Sequence, residues 1–235
     1  MIYRQSCRLL ASDVDAYRRL RLSRLFTMMQ EAAIAHTEAL GAGRDRTLDR
    51  GILWAVAMRR VRVNRLPEYD EAVELQSWPG ETMHVLFPRY CRLAGASGEV
   101  LAEGSALWIL MDDATRRRVF PEEAGVSVPG MDFGPTPPLP RTLPAVKADA
   151  APFTVPYSYV DLNGHMNNAR LLDLAEDLMP ADLRAGRIRQ IEAEYGGEAR
   201  LDDEVMLRAK RDGNVFSLSG EKSRGLFKIR LEYEG

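Results

Sequence analysis

The two halves of the chain resemble each other, and this internal similarity constrains the fold more than any other feature. "VDAYRRLRLSRLF" (14–26) aligns with "VDLNGHMNNARLL" (160–172): both open with Val-Asp and run into an apolar helix start. "PEYDEAVEL" (67–75) and "ARLDDEVML" (199–207) share a D-[ED]-x-V-x-L core. Repeated sequence of this kind indicates a duplicated structural unit.

A proline-rich segment separates the two copies. It runs from Val126 to Pro152 and holds seven of the 13 prolines, a density that favours an extended connector. We therefore divide the chain into residues 1–125, a linker at 126–152, and residues 153–235. Each half reads as a strand, a polar turn, one apolar helix and several strands. The prediction is a duplicated α+β unit in which one long helix is wrapped by an antiparallel sheet.

Hydrophobic spacing places the elements of each half. The first helix is predicted from Leu22, with Ser23 as its N-cap and Gly41 as its stop, and the second at 168–179, ended by Pro180. Strands are predicted at 52–64, 71–78, 82–94 and 99–111, and then at 187–195, 203–210, 214–220 and 225–233.

Charge and cysteine content limit the classes of function. A formal net charge of −2 argues against nucleic acid as the main partner. The two cysteines, Cys7 and Cys91, are far apart in strand-like runs, which favours buried small side chains over a disulfide framework. Neither a signal-peptide core nor a membrane-length apolar run is present in the sequence. We expect a cytoplasmic protein with no membrane partner.

The stretch "VDLNGHMNNARLLDLAEDL" (160–178) concentrates polar residues ahead of the second helix. In the alignment of the halves, Asp161 falls on Asp15, but Asn163 falls on Tyr17 and His165 on Arg19. If these residues only capped a helix, both copies would need similar chemistry. The difference favours a site confined to the second half.

Several roles stay open for the residues of this stretch. Asn167 or Asn168 suits an N-cap, and Gly164 suits a turn. His165 or Asn163, near a helix N-terminus, could donate to a developing oxyanion, whereas a lone His is usually structural. Asp161 could cap locally, or it could orient water and act as a base.

A second acid is required from elsewhere, and the candidates in "IEAEYGGEARLDDEV" are Glu192, Glu194 and, best placed, Glu198. It follows Gly196-Gly197, where a strand can bend and a ligand can approach the backbone. Its counterpart in the first half is Leu66, so this acid also exists only in the second copy. Read in isolation, Glu198 would be an ordinary surface residue.

These stretches resemble acyl-acyl-carrier-protein thioesterases, double hotdog enzymes that end fatty-acid synthesis by hydrolysing the acyl thioester. "DLNGHMNNARLLDLAEDL" is similar to the family's D-x-N-x-H-x-N-N stretch, and "YGGEA" stands where the family has Tyr-x-x-Glu-Cys. "MMQEAAIAHTEALG" is similar to its N-terminal helix. The resemblance implies a tandem hotdog with an acyl-binding first half, a catalytic second half, an acyl-carrier-protein substrate and no cofactor or metal.

Residue by residue, the resemblance implies that Asp161, Asn163, His165 and Glu198 are catalytic. Asp161 and Glu198 would hold or deprotonate water, while Asn163 and His165 would polarise the thioester carbonyl. Ala199 stands where plant members carry a cysteine, so we expect direct water attack rather than a cysteine nucleophile. The candidate substrate-binding residues are Asn167, Asn168, Met28, Met29, Trp54 and Met58.

Other functions remain open at this stage. A hotdog hydrolase acting on acyl-coenzyme A is a close alternative, and a non-catalytic acyl-binding protein on the same fold is a third. The three histidines have no partners at metal-ligand spacing, which argues against a metal hydrolase. "RRVRVNR" (59–65) and "RRR" (116–118) are candidate docking patches for an acidic carrier, or else solvated strand edges. Chain-length preference and a homodimer also stay open.

Overall fold

One antiparallel sheet passes through both halves of the chain, whose residues 1–235 are described by a computed structural model. In the first half, helix α1 (Leu22–Ala39) packs against strands of this sheet. Those strands are β1 (Tyr3–Arg8), β2 (Ile52–Val63), β3 (Ala72–Pro79), β4 (Phe87–Gly95) and β5 (Val100–Asp112). Short elements β6 (Arg118–Val119) and α2 (Pro121–Ala124) follow β5.

The second half has the same order of elements. Its helical part consists of α3 (Arg170–Leu178) and α4 (Ala181–Ala185). Its strands are β7 (Ala150–Thr154), β8 (Ile188–Tyr195), β9 (Glu204–Asp212), β10 (Val215–Glu221) and β11 (Gly225–Tyr233). None of the helices in the chain is both long enough and apolar enough to cross a lipid bilayer.

The strand order of the second half is the reverse of that of the first, so the two copies meet at the junction of β2 and β8. The sheet runs β1-β3-β4-β5-β2 and then β8-β11-β10-β9-β7, so equivalent strands stand at equal distances from the β2–β8 junction. That junction is an antiparallel ladder from Met58↔Glu194 to Arg62↔Gln190. The duplication predicted from the sequence is therefore confirmed, and the two copies share one continuous sheet.

The alignment of the two halves is also confirmed at atomic level. The N–H of Asp15 donates to the carbonyl of Arg19 at 2.7 Å, and the N–H of Asp161 donates to the carbonyl of His165 at 3.1 Å. The residue before each of these carbonyls, Arg18 or Gly164, has a positive φ. Both copies thus build the same tight hairpin, and they differ only in the side chains mounted on it.

The helices depart from the sequence prediction in two places. Ser23, predicted as the N-cap of α1, lies buried inside the first turn, and the cap position is Arg21. The second helix begins at Arg170 rather than 168 and is interrupted by Pro180, which has no N–H to continue it. The long central helix is therefore continuous in the first half and split into two pieces in the second.

The strands follow the predicted ranges closely, with one late start. The strand expected from residue 82 begins at Phe87, because Met83 and Leu86 form a turn with His84 at φ 56°. Strand β7 begins at Ala150, inside the predicted linker, and carries Pro152 on the edge of the sheet, where a missing N–H is tolerated. The boundaries of the three segments otherwise stay a prediction.

Candidate active site

A cavity of about 840 Å³ opens between the two halves of the molecule. Its wall combines the polar motif of the second half with the start of β2, the end of β5 and the C-terminal part of α1. Of the residues predicted for the site from the sequence, those lining this cavity are Asp161, Asn163, His165, Asn167, Asn168, Glu198, Trp54 and Met58. The structure thus brings together side chains that are far apart in the sequence.

Two of the predicted lining residues lie elsewhere. Met28 and Met29 were expected against the acyl chain, but both are buried in the main hydrophobic core. The face of α1 that reaches the cavity is one turn further along and carries Ala33, Ile34 and Thr37. The apolar spacing of α1 identified its buried residues without separating the core face from the cavity face.

The Asp161 carboxylate organises the polar hairpin. One oxygen accepts from the N–H of Asn163 at 2.9 Å, and the other accepts from the side-chain amide of Asn167 at 3.0 Å. In the first half, Asp15 makes the first of these contacts with the N–H of Tyr17 at 2.8 Å. Because both copies use the aspartate in this way, its geometry supports the local capping role that the sequence left open.

Neither asparagine is the N-cap predicted from the sequence, because that position of α3 is Ala169, and Asn167 acts two residues ahead of it. The side-chain oxygen of Asn167 accepts from the N–H of Ala169 at 2.8 Å, and its backbone carbonyl accepts from the N–H of Arg170 at 3.0 Å. Asn168 makes no hydrogen bond of this kind. Asp161 and Asn167 therefore fix the backbone between them. The side-chain amide of Asn163 is left exposed at the cavity without a protein partner.

His165 and Glu198 meet at the cavity wall. The Nε2 atom of His165 lies 3.7 Å from Oε1 of Glu198, and the two side chains are 19% and 30% exposed. On its other side, Nδ1 of His165 lies 3.4 Å from the carbonyl oxygen of Met166. The imidazole therefore lies between the Met166 carbonyl and the Glu198 carboxylate, and Glu198 is the only carboxylate within 4.0 Å of it.

Glycines and one backbone contact place Glu198. The N–H groups of Gly196 and Gly197 both donate to the carbonyl of Leu226, at 2.8 and 3.1 Å, which bends the chain after β8. A Cβ on Gly197 would stand 2.9 Å from Cδ2 of Leu226, so a larger residue there would displace the Leu226 side chain. Next to Glu198, the carbonyl of Ala199 accepts from the N–H of Met166 at 2.7 Å. This bond ties the two site-bearing segments together.

Arg116, which the sequence analysis named only within the docking patch "RRR", lines the cavity and faces Glu198. It lies in the turn between β5 and β6 of the first half, with φ 57°, and its Nε is 3.6 Å from Oε2 of Glu198. It also donates to Asp113 at 3.0 Å, a bond that holds the guanidinium in place. Glu198 therefore lies between a cation of the first half and an imidazole of the second.

The two predicted docking patches have different outcomes. In "RRVRVNR", Arg59 is buried, and the other three arginines pair with carboxylates of neighbouring strands, so no free basic patch exists there. In "RRR", Arg116 faces Glu198, whereas Arg117 and Arg118 are exposed and have no carboxylate within 4.0 Å. Arg118 and Arg224, one from each half, line the cavity.

Neither cysteine lies at the cavity. Cys7 is half-buried on β1, and Cys91 is buried on β4. Burial raises the pKa of the Cys7 thiol, and it raises the pKa of the Cys91 thiol to about 11. Ala199, the residue after Glu198, is itself buried. A thiolate nucleophile is therefore absent from the region of His165 and Glu198.

Two solved structures share this architecture along the whole chain. An acyl-ACP thioesterase from Bacteroides thetaiotaomicron superimposes with a TM-score of 0.87 at 21% identity, over 99% of this chain and 98% of that one. The 12:0-ACP thioesterase from Umbellularia californica gives 0.80 at 21% identity, over 99% and 97%. At this level of identity the likeness concerns the fold, and the tandem hotdog expected from the resemblance is confirmed.

Curated plant proteins are similar in sequence. A chloroplastic palmitoyl-acyl carrier protein thioesterase from Cuphea hookeriana is 26% identical over 216 residues, which are 84% of this chain and 52% of that protein. A dodecanoyl-[acyl-carrier-protein] hydrolase from Cinnamomum camphora is 25% identical over 227 residues, 86% of this chain and 57% of that protein. The chain spans about half the length of the curated relatives it matches.

Family models cover both halves. The acyl-ACP thioesterase N-terminal domain matches residues 1–123, and the acyl-ACP thioesterase C-terminal domain matches residues 144–234. The first match ends before the proline-rich segment and the second begins within it, in the order that the duplication requires. With the polar hairpin, the glycine bend and the mirrored sheet all in place, this chain belongs to the acyl-ACP thioesterase family.

Proposed function

We propose that this protein hydrolyses the thioester of fatty acyl-acyl-carrier protein and releases the free fatty acid. The observation that carries the proposal is the approach of His165 to Glu198, 3.7 Å apart on the wall of a cavity large enough for an acyl chain. The same hairpin in the first half carries Arg19 in place of His165 and offers no such pair. The reaction is thus assigned to one copy of the duplicated unit.

Glu198 is proposed as the general base. Its carboxylate takes a proton from a water molecule, whose oxygen attacks the thioester carbonyl carbon and forms a tetrahedral oxyanion. The oxyanion then reforms the carbonyl as the carbon–sulfur bond breaks, and the departing thiolate accepts the proton held by Glu198. Arg116, 3.6 Å from the second oxygen of Glu198, keeps the carboxylate oriented throughout.

Asn163 and His165 are proposed to stabilise the oxyanion. The side-chain amide of Asn163 has no protein partner, and Nε2 of His165 lies at the same wall, where the Nε2–H tautomer donates and Nδ1 makes no donation to Met166. Preorganised donors of this type contribute most where charge develops in the transition state. Asp161 acts indirectly, because both of its oxygens are occupied in holding Asn163 and Asn167.

The acyl carrier protein is proposed as the donor, docking over the cavity mouth. Arg118 and Arg224 line the cavity and have no ion-pair partner, so they suit the phosphodiester of a phosphopantetheine arm and an acidic carrier. Trp54, Phe87 and Met58 give the cavity apolar surface for the chain. The predicted cytoplasmic location and a homodimer stay predictions.

The decisive measurement is hydrolysis of acyl carrier thioesters by wild type and by Glu198→Gln. The substitution keeps the size of the side chain and removes the base, so kcat should fall by ~10²- to 10⁴-fold. Glu221→Gln, which changes a half-exposed glutamate paired with Arg208, is the matched control. Retention of wild-type kcat by Glu198→Gln would overturn the mechanism, and no turnover by wild type would favour a binding protein.

A second measurement identifies the donor. Acyl-carrier and acyl-coenzyme A thioesters of the same chain length are compared for kcat/KM, alone and in competition. We expect the carrier substrate to be preferred and the preference to shrink in the Arg118→Gln/Arg224→Gln double variant. An equal or higher kcat/KM for the coenzyme A substrate would replace the carrier protein by coenzyme A in the proposal.

A further inference from the structure

Two buried arginines beside the cavity have no carboxylate partner. Arg89 and Arg59 are 7% and 4% exposed, and neither lies within 4.0 Å of an acidic side chain. Glu31 and Glu38 line the same cavity but are not paired with either arginine. A buried cation is costly unless a counter-charge or a full set of hydrogen bonds compensates it. These two cations therefore need an explanation.

Protein contacts use only part of the donor capacity of Arg89. Its Nη1 contacts Nδ1 of His36 at 3.0 Å and donates to the hydroxyl of Ser77 at 3.4 Å, and its Nη2 donates to the hydroxyl of Thr37 at 2.8 Å. Since a guanidinium only donates, Nδ1 of His36 must accept, and its Nε2–H donates to the carbonyl of Met1 at 2.8 Å. His36 is therefore neutral and supplies no counter-charge. The Nε of Arg89 has no protein acceptor.

The charge of Arg59 is offset by even fewer protein contacts than that of Arg89. Its Nη1 donates to the carbonyl of Phe26 at 2.9 Å, and the guanidinium lies 4.7 Å from the centre of the Phe26 ring. Its Nε and Nη2 have no acceptor in the protein. In the sheet, Arg59 pairs with Ala106 and Ala106 pairs with Arg89, so the two cations share one face and flank a methyl side chain.

Two further side chains beside the cavity also carry donors without a protein acceptor. The hydroxyl of Tyr195 and the indole N–H of Trp108 are buried without any hydrogen-bond partner, and both residues line the cavity. Trp108 stands two residues from Ala106 on β5, and Tyr195 stands two residues from Ala193, which pairs with Arg59. Residues two apart on a strand share a face. Four donor side chains thus share one face of the sheet. Arg89, Trp108 and Tyr195 line the cavity, and Arg59 lies between them in the sheet.

We propose that this donor cluster, formed by Arg59, Arg89, Trp108 and Tyr195, binds a carboxylate carried on an aliphatic chain in the cavity. A carboxylate supplies both the missing negative charge and up to four acceptor positions. Arg59 lies on β2, between β4 and β8 in the sheet, so side chains of both strands can reach a carboxylate held at its guanidinium. Arg59 pairs with Ala193, five residues before Glu198, so this carboxylate belongs to the far end of a chain whose thioester is at Glu198.

Binding of free ligands tests the cluster without any hydrolysis. Affinities of decanoate and 1-decanol are measured by calorimetry at neutral pH. We expect wild type to bind decanoate roughly tenfold more tightly, the effect of about 1.4 kcal/mol. This ratio should disappear in Arg89→Gln. Because a buried arginine variant can fail to fold, Tyr195→Phe and Trp108→Phe are measured as well, and each should reduce the ratio severalfold.

Equal affinity of wild type for the acid and the alcohol would overturn the proposal. So would a preference for the acid that persists in all three variants. These outcomes are independent of the proposed hydrolysis, which fails only if wild type does not turn over any acyl thioester.

A kinetic comparison identifies the source of the carboxylate, and this arm rests on the proposed function. The acyl-carrier-protein thioesters of decanoate and of decanedioate, the second with its other carboxylate free, are compared as substrates of wild type. A higher kcat/KM for the carboxyl-ended chain, lost in Tyr195→Phe, assigns the cluster to a dicarboxylic acyl substrate. A lower kcat/KM for it, together with tight binding of decanoate, assigns the cluster to the released fatty acid as an inhibitor.

Discussion

The two aspartates of the duplicated hairpin provide an internal control for the proposed site. Asp161 and Asp15 occupy equivalent positions, and each accepts a hydrogen bond from the N–H two residues ahead. Only Asp161 lies in the hairpin that carries His165. Replacing each by alanine therefore separates the structural contribution of the turn from its contribution to catalysis.

The stability costs of the two changes should differ. Asp15→Ala removes the acceptor for the N–H of Tyr17. It also removes the ion-pair partner of Arg19; the two side chains are 3.0 Å apart and 20% and 15% exposed. Loss of a partly buried pair of this kind costs ~2–4 kcal/mol. Asp161→Ala removes two acceptor contacts at the surface of the cavity, at a cost of ~1–2 kcal/mol.

The catalytic costs should show the opposite order. Without Asp161, the side chain of Asn167 loses its partner and the backbone at Asn163 is no longer fixed, so the donors at the carbonyl shift. A displacement of ~1 Å at a reacting centre costs ~10²-fold in rate. Asp15→Ala leaves the second hairpin unchanged, so its kcat at 25 °C should stay within about twofold of wild type once the protein is folded.

Thermal unfolding and steady-state hydrolysis of one acyl carrier thioester measure the two effects on the same samples. For a chain of this size, ~2–4 °C in Tm corresponds to 1 kcal/mol, so Asp15→Ala should unfold ~5–15 °C below wild type and Asp161→Ala ~3–6 °C below. If both variants lost activity in proportion to their loss of stability, Asp161 would have no role beyond the turn and the internal comparison would be refuted.

Three further predictions address the remaining features of the site and fold. Arg116→Met should lower kcat/KM about tenfold, the effect of ~1.4 kcal/mol, with little change in Tm, whereas Arg117→Met, an exposed control, should leave both unchanged in the same assays. Because the thiol pKa values of Cys7 and Cys91 are raised, little thiolate exists at pH 7–8. Iodoacetamide should therefore leave activity intact, and the double variant Cys7→Ser/Cys91→Ala should retain kcat. Loss of activity in this variant would instead support a cysteine nucleophile. Burial, with Asp173 nearby, raises the pKa of Glu176 to about 7, so the folded state holds a proton that the unfolded state has lost between pH 4.5 and 7. Stability should fall as pH rises through this range, and Glu176→Gln should raise Tm at pH 8 but not at pH 4; equal shifts at both pH values would refute this.

The fold was largely predictable because its determinants are local. Alternation along the strands and the helical spacing of α1 are visible in the sequence, and the repeat supplied the global organisation. The late start of β4 and the position of Ser23 within α1 were missed, since a turn at His84 and a cap at Arg21 follow from tertiary packing rather than residue preference.

The candidate site was predictable only where its residues are close together in the sequence. The polar hairpin and the glycine pair before Glu198 are readable from residue type and spacing, but Arg116 reaches Glu198 from the other half of the molecule. No sequence period reports such a contact. The interpretation of "RRVRVNR" as a docking patch overlooked one available signal: a strand period of two puts Arg59 on the face of Val61 and Val63, both of which are buried.

The mirrored sheet has a consequence for how substitutions act. In a homodimer of identical subunits, every substitution occurs on both sides of the symmetry axis, so a gain on one side is coupled to its effect on the other. Here both sides belong to one polypeptide. Arg19, which stands where the second copy has His165, donates instead to the carbonyls of Arg184 and Gly186. One copy of the hairpin therefore bonds the two halves to each other, while the other carries the proposed site, an asymmetry that identical subunits related by symmetry do not allow.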